Sequence, residues 1–171
     1  ENLYKSGLLL QEISENCGWS LHQVIYWVNK YNIPRRPPSE ATYVKWNPSG
    51  DPFKIKNKLS QNEILLKGLG LGLYWGEGDK SKSTTQVRVS NTDPRLIKKF
   101  REFLIKICGI KENKLKYSLI LFNDVNEEKA IDFWLNYLKI KRNQLGKIVK
   151  IPPQGKGKYK KKSQFGVLVL S

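Results

Sequence analysis

Methionine is absent from the 171 residues, histidine occurs once and cysteine twice. With Glu1 leading and no Met, the natural start is expected to lie upstream of this sequence. A single histidine, His22, excludes His-rich zinc sites, His-containing nuclease motifs and Ser-His-Asp chemistry. Cys17 and Cys108 stand in different segments and make neither a disulfide framework nor a zinc site. Reduced thiols in a cytoplasmic, DNA-associated setting are the expectation. No apolar run reaches the ~20 residues of a membrane span. The opening Glu1-Asn2-Leu3-Tyr4-Lys5 lacks the basic-then-apolar order of a signal peptide. No long basic amphipathic helix appears, which disfavours a membrane surface. Any catalysis must therefore rest on carboxylates, amides, Lys and Arg.

What is present is positive charge. Lys and Arg total 31 against 15 Asp and Glu, a formal net charge of +16. Arg stands only at positions 35, 36, 88, 95, 101 and 142, so Lys supplies most of it. Hydrophobic residues make up 39% and aromatics 11%, too apolar for a disordered basic tail. A core is buried, the excess charge lies on its surface, and nucleic acid, double-stranded DNA in the reading below, is the first candidate partner and an anionic membrane the second. Nothing points to a small-molecule cofactor.

Residues 1–46 read as a small all-α unit. Leu8, Leu9, Leu10 and Ile13 form a stripe at helical spacing, which Cys17-Gly18-Trp19 breaks. Ser20 caps a second helix, with Leu21, Val24, Ile25 and Val28 inward and His22, Gln23, Tyr26, Trp27 and Lys30 outward or at the rim. The stretch Asn32 to Pro38 is expected to be non-helical. Two short helices about a Gly turn read as helix-turn-helix; the competing reading is a hairpin that only packs. The segment LLLQEISENCGWSLHQVIYWVNKYNIPRR resembles the helix-turn-helix of resolvases and related DNA-binding proteins. The resemblance puts Ser20, His22, Gln23 and Trp27 toward base edges in the major groove. Arg35 and Arg36, on a Pro-rich arm, are expected to reach phosphates or a minor groove. Residues 47–59 carry no periodic pattern and read as a linker.

Residues 60–171 read as α+β. Ser60-Gln61-Asn62-Glu63 is a capping box and starts a helix near Gln61. In it Gly68, Gly72 and Gly76 recur every four residues and share a face. Each costs a helix roughly 1 kcal/mol against Ala, and the simplest return is another backbone pressed against that face. Leu65, Leu69, Leu73 and Tyr74 flank it. Gln86 to Ser90 alternates as a strand; Asp93 and Pro94 start a helix that Gly109 ends. Lys114–Phe122 is a second strand region, a helix runs from about Glu127 to Lys139, and Gln144–Ile151 and Gln164–Leu170 are strands.

Gly70 to Gly78, GLGLYWGEG, resembles the nine-residue motif of the LAGLIDADG homing endonucleases. Gly72 and Leu73 fall on its central Gly-Leu, Glu77 on its metal-binding acid and Gly78 on its closing Gly. Gly70, Leu71 and the Glu in place of Asp depart from it. A nucleotide loop is the competing reading, but no strand precedes the glycines and no Gly-Lys-Ser/Thr follows. A structural helix contact in a non-enzymatic protein is another.

The resemblance implies a curved antiparallel saddle with packed helices, its polar face in the major groove. By parity Gln86, Arg88, Ser90, Lys114, Lys116 and Ser118 belong to that face. Lys158 and Lys160 are expected to track the backbone. The resemblance also implies Asn91 as an active-site amide, Arg95 as a nearby cation and a basic residue after the third helix, Lys147 first and Lys150 in reserve. It makes Glu77 and the Gly76 carbonyl ligands of Mg²⁺, or of Mn²⁺ or Ca²⁺ in its place. One motif per chain implies a homodimer through Gly68, Gly72 and Gly76. A double-strand cut at a long, roughly palindromic site is expected. A helix-turn-helix joined to such a domain also occurs in transcription regulators, and an RNA maturase shares the fold.

Overall fold

Turn and cap residues decide where this chain changes element. The computed structural model describes residues 1–81, 86–152 and 164–171. Within them seven helices and a four-stranded open sheet make a mixed α+β protein. The described chain divides into two units, Glu1–Pro52 and the remainder from Phe53 onward. Among the described residues no helix is long and apolar enough to cross a membrane.

The first unit is all-α: α1 (Asn2–Lys5), α2 (Leu10–Cys17), α3 (Leu21–Lys30) and α4 (Pro38–Trp46). Gly18 ends α2 in the left-handed region, which costs a residue without Cβ little. Ser20 and Gln23 then close a capping box on α3, whose Val24 and Val28 are buried. The chain from Asn32 through Pro37 is non-helical, but Pro38 opens α4 instead of prolonging the break. Proline is suited to a first helical position, where its missing N–H would have no partner anyway.

The expected linker 47–59 is not one stretch. Its first part stays with the helical unit, and the rest is a strap on the second unit. The Lys54 N–H donates to the Cys108 carbonyl at 2.8 Å and the Lys56 N–H to the Ile107 carbonyl at 2.9 Å. Phe53 and Leu59 pack against the core.

From Ser60 the order is α5 (Gln61–Glu77), β1 (Val89–Asn91), α6 (Pro94–Lys106), β2 (Tyr117–Phe122), α7 (Glu127–Leu138), β3 (Leu145–Ile151) and β4 (Val167–Leu170). Short 3₁₀ turns at Glu112–Lys114 and Arg142–Gln144 precede β2 and β3. The sheet order is β1-β4-β2-β3. The expected antiparallel sheet is instead mixed, since β2 and β3 run parallel. The physical reason is the connection: α7 carries the chain back across the sheet, and a crossover of that length permits parallel pairing. The two last strands are not neighbours, because β2 lies between them.

Alternation sorts the sheet into two faces. Tyr117, Leu119 and Leu121 of β2 join Val89, Leu145, Leu168 and Leu170 in a core filled by Ile97, Phe100, Leu104, Ile131, Trp134 and Leu138 of α6 and α7. The opposite face carries Ser118, Ile120 and Phe122, with Val149, Ile151, Val167 and Val169 as register partners. That face is mostly aliphatic.

Candidate functional site

Glu77 ends α5, and the next residue, Gly78, bridges to Val89 of β1. The acid therefore lies where helix passes into sheet. Tyr74 secures this passage, its hydroxyl donating to the Asp79 carbonyl at 2.9 Å. The Asp79 N–H donates to the Arg88 carbonyl at 2.9 Å. The Lys80 ammonium caps the same helix end by donating to the Trp75 carbonyl at 2.5 Å. Glu77 itself is exposed and makes no hydrogen bond or ion pair among the described residues. Asp79, unremarked in the sequence, is the second acid here. The Ser81 N–H and Arg88 hold its carboxyl below the ordinary carboxylate range.

The glycine pattern resolves into two opposed faces. Gly70 faces inward: a Cβ there would fall on the Phe103 ring. Gly68, Gly72 and Gly76 face outward, with no atom of the described residues within 4 Å of a Cβ. Around them Ile64, Leu65, Leu69, Leu71 and Trp75 are exposed, Leu65 at 69% and Trp75 at 80%. Of the expected flanking residues, Leu73 and Tyr74 turn to the core, whereas Leu65 and Leu69 do not.

Asn91 ends β1 and closes a turn, its side-chain oxygen accepting the Asp93 N–H at 2.8 Å. Asp93 caps α6 and holds Arg95 in an ion pair at 2.9 Å. Mutual attraction lowers the Asp93 carboxyl and raises the Arg95 guanidinium. Lys147 stands exposed on β3 where the pairing with β2 shifts register. The neighbouring Lys150 pairs with Glu127 at 2.8 Å.

Of the six residues expected on one sheet face, only Ser90 and Ser118 lie in paired strands and share that face. Gln86 and Arg88 precede β1, which is shorter than expected, and Arg88 is drawn to Asp79 at 3.8 Å. Lys114 sits in the 3₁₀ turn, because the Lys111 carbonyl accepts its N–H and curls the chain before β2. Lys116 is exposed and exchanges two backbone hydrogen bonds with Ser171. Lys158 and Lys160 lie outside the described residues.

In the first unit, Ser20 and Gln23 spend polar atoms on their own cap, Gln23 Oε1 accepting the Ser20 N–H at 2.8 Å. His22 and Arg35 are exposed. Trp27 is turned into the unit, where it lines a cavity of about 590 Å³ with Tyr4, Trp19 and Tyr31. Arg36 is withdrawn from any phosphate: its guanidinium donates to the Tyr4, Gly7 and Leu8 carbonyls and lies over the Tyr4 ring.

The charge is distributed unevenly, a signal present in the sequence but masked by the total. Lys5, Lys30, Arg35, Arg36 and Lys45 are matched by Glu1, Glu12, Glu15, Glu40 and Asp51. The first unit's segment is thus neutral, and the whole +16 belongs to residues 53–171.

Among the described residues no group of three His, Cys, Asp or Glu side chains is placed to hold a metal ion. The donor set at the helix end is one free carboxylate, Glu77, with backbone carbonyls beside it. These are hard oxygen ligands of the kind Mg²⁺ takes together with phosphate and water. Comparison of the chain with protein-family models, with curated proteins and with solved structures gives no match.

Proposed function

We propose that this protein is a metal-dependent DNA endonuclease that works as a homodimer and hydrolyses both strands of a long, roughly palindromic site. One observation carries the reading: an exposed apolar helix face, lined by three glycines, ends at an exposed and unpaired acid. Monomeric proteins rarely expose apolar surface of such continuity without a partner. A second copy related by a twofold axis would cover that surface and set a second Glu77 beside the first. The expected fold, a LAGLIDADG-type saddle with a helix-turn-helix before it, is part of the proposal.

Glu77 and the Gly76 carbonyl would hold Mg²⁺, which supplies charge neutralisation and water activation at a phosphodiester when bound. The chain's own residues do the rest. The Tyr74–Asp79 bond and the Lys80 cap fix the helix end, so the backbone that carries Glu77 is held in place. Lys147, unpaired among the described residues on the β3 irregularity, is free to meet phosphate charge. Asn91 engages Asp93 through its side-chain oxygen and Arg95 through Nε and Nη2, so both serve as positioning residues.

A second reading is a DNA-binding regulator that does not cut, and the engagement of Asn91 and Arg95 with Asp93 favours it. Incubating protein and Mg²⁺ with a plasmid carrying a site selected for binding from a random-sequence library separates the two. Linearisation by the wild type, abolished in Glu77→Gln while DNA binding persists, is the expected result. Binding without cleavage under Mg²⁺, Mn²⁺ and Ca²⁺ alike leaves the regulator.

A further inference from the structure

The net positive charge lies in residues 53–171, since the helical unit's segment is neutral. Within that part, one surface gathers lysines from two separate stretches. The strap bonds through alternate residues, Lys54 and Lys56, to carbonyls of 107 and 108. Bonding at alternate positions marks extended backbone and puts both lysine side chains on one side. Gly109 lies against Lys54 closely enough that a Cβ would meet its carbonyl at 2.5 Å, so the turn carrying Lys111 runs beside the strap. Lys58 follows at the end of the strap. Lys54, Lys58 and Lys111 are exposed and have no acidic partner among the described residues. Lys56 and Lys106 bracket the patch, each tied to a glutamate.

Resting on the DNA-binding reading above, we propose that the strap 53–59 and the adjoining turn are a surface that holds the phosphate backbone of duplex DNA, through Lys54, Lys58 and Lys111. The interaction is with phosphate, so it adds affinity without reading sequence.

The test is the salt dependence of binding to a short random-sequence duplex, followed by fluorescence anisotropy between about 50 and 200 mM salt. In the triple variant Lys54→Gln, Lys58→Gln, Lys111→Gln, the slope of log affinity against log salt falls by about 2.7, or about 0.9 for each phosphate left without its lysine. Lys→Arg at the same three positions keeps the slope, which separates charge from fold damage. Lys5→Gln with Lys45→Gln, at exposed lysines outside every DNA contact named above, leaves the slope as in the wild type. A wild type with steep salt dependence and an unchanged strap triple overturns the strap alone. Salt-independent binding by the wild type overturns the DNA reading and the strap with it. A triple that loses only its binding to phosphatidylserine vesicles overturns the proposal in favour of a membrane.

Discussion

Glu63 sits between two elements and is held by groups from both. The Lys56 ammonium, 2.6 Å away, and the Ser60 N–H of the helix cap together pull its carboxyl from 4.5 to about 2. A carboxyl lowered on folding stabilises the protein above its unfolded value and loses that effect as the pH falls through the folded one. The contribution is therefore complete above about pH 4.5 and fades toward pH 2. In Lys56→Met the carboxyl is expected to titrate closer to 4.5, as followed by carboxyl chemical shifts. The variant is less stable than the wild type at neutral pH, and the two converge in strong acid. Unchanged titration in the variant would assign the shift to the cap alone. The Ser60–Glu63 box is readable from residue types and spacing, as is the Asp93-Pro94 helix start. The Lys56–Glu63 pair is not, because it depends on the strap folding back along α6. Asn91 and Arg95 show the limit differently. Asn-Thr-Asp-Pro-Arg is compatible both with an amide and cation at a strand end and with a turn into a capped helix. Only the positions of the Asp93 donor and acceptor atoms separate the two.

Helix α5 has two glycine faces with opposite roles. Gly70 admits the Phe103 ring, which lies tilted against Phe100, and Phe100 in turn stacks on Tyr74. Gly70→Ala overfills that space, and overpacking of this kind costs about 1–3 kcal/mol. Gly72→Ala meets nothing among the described residues, so it gains up to about 1 kcal/mol of helix propensity. Thermal melts of dilute protein are expected to move in opposite directions for the two, by roughly 4 °C per kcal/mol. A melt lowered by Gly72→Ala to the same extent would place that glycine against another part of the chain. The four-residue recurrence of glycine is legible because helical spacing alone puts three residues on one side. Gly70 is not legible as a core position, since its role depends on where α6 brings Phe103. The parallel pairing of β2 and β3 is likewise hidden. Strand periodicity reports which face a residue occupies, not the direction of the neighbouring strand.

The whole molecule sets charge against apolar surface. Each chain carries +16, and the exposed face of α5 is apolar. Two such chains repel one another as they approach, and that repulsion is screened by salt over a Debye length of about 10 Å at 0.1 M. Burial of the apolar face is not weakened by salt in this way. Self-association of the free protein is therefore expected to strengthen as salt rises. Binding to DNA releases counterions and weakens over the same range. The polyanion also neutralises both copies, so DNA and dimerisation promote one another. Sedimentation velocity at about 50 and 500 mM salt, with and without the duplex, measures the two trends. The expected pattern is a monomer in low salt without DNA, a dimer in high salt, and a dimer on DNA in low salt. Gly72→Leu should remain monomeric in high salt, since a side chain on the stripe keeps two backbones apart. A dimer that dissolves in high salt would mean that ion pairs, not the glycine-lined face, join the copies. Glu77 would then have no reason to meet its counterpart.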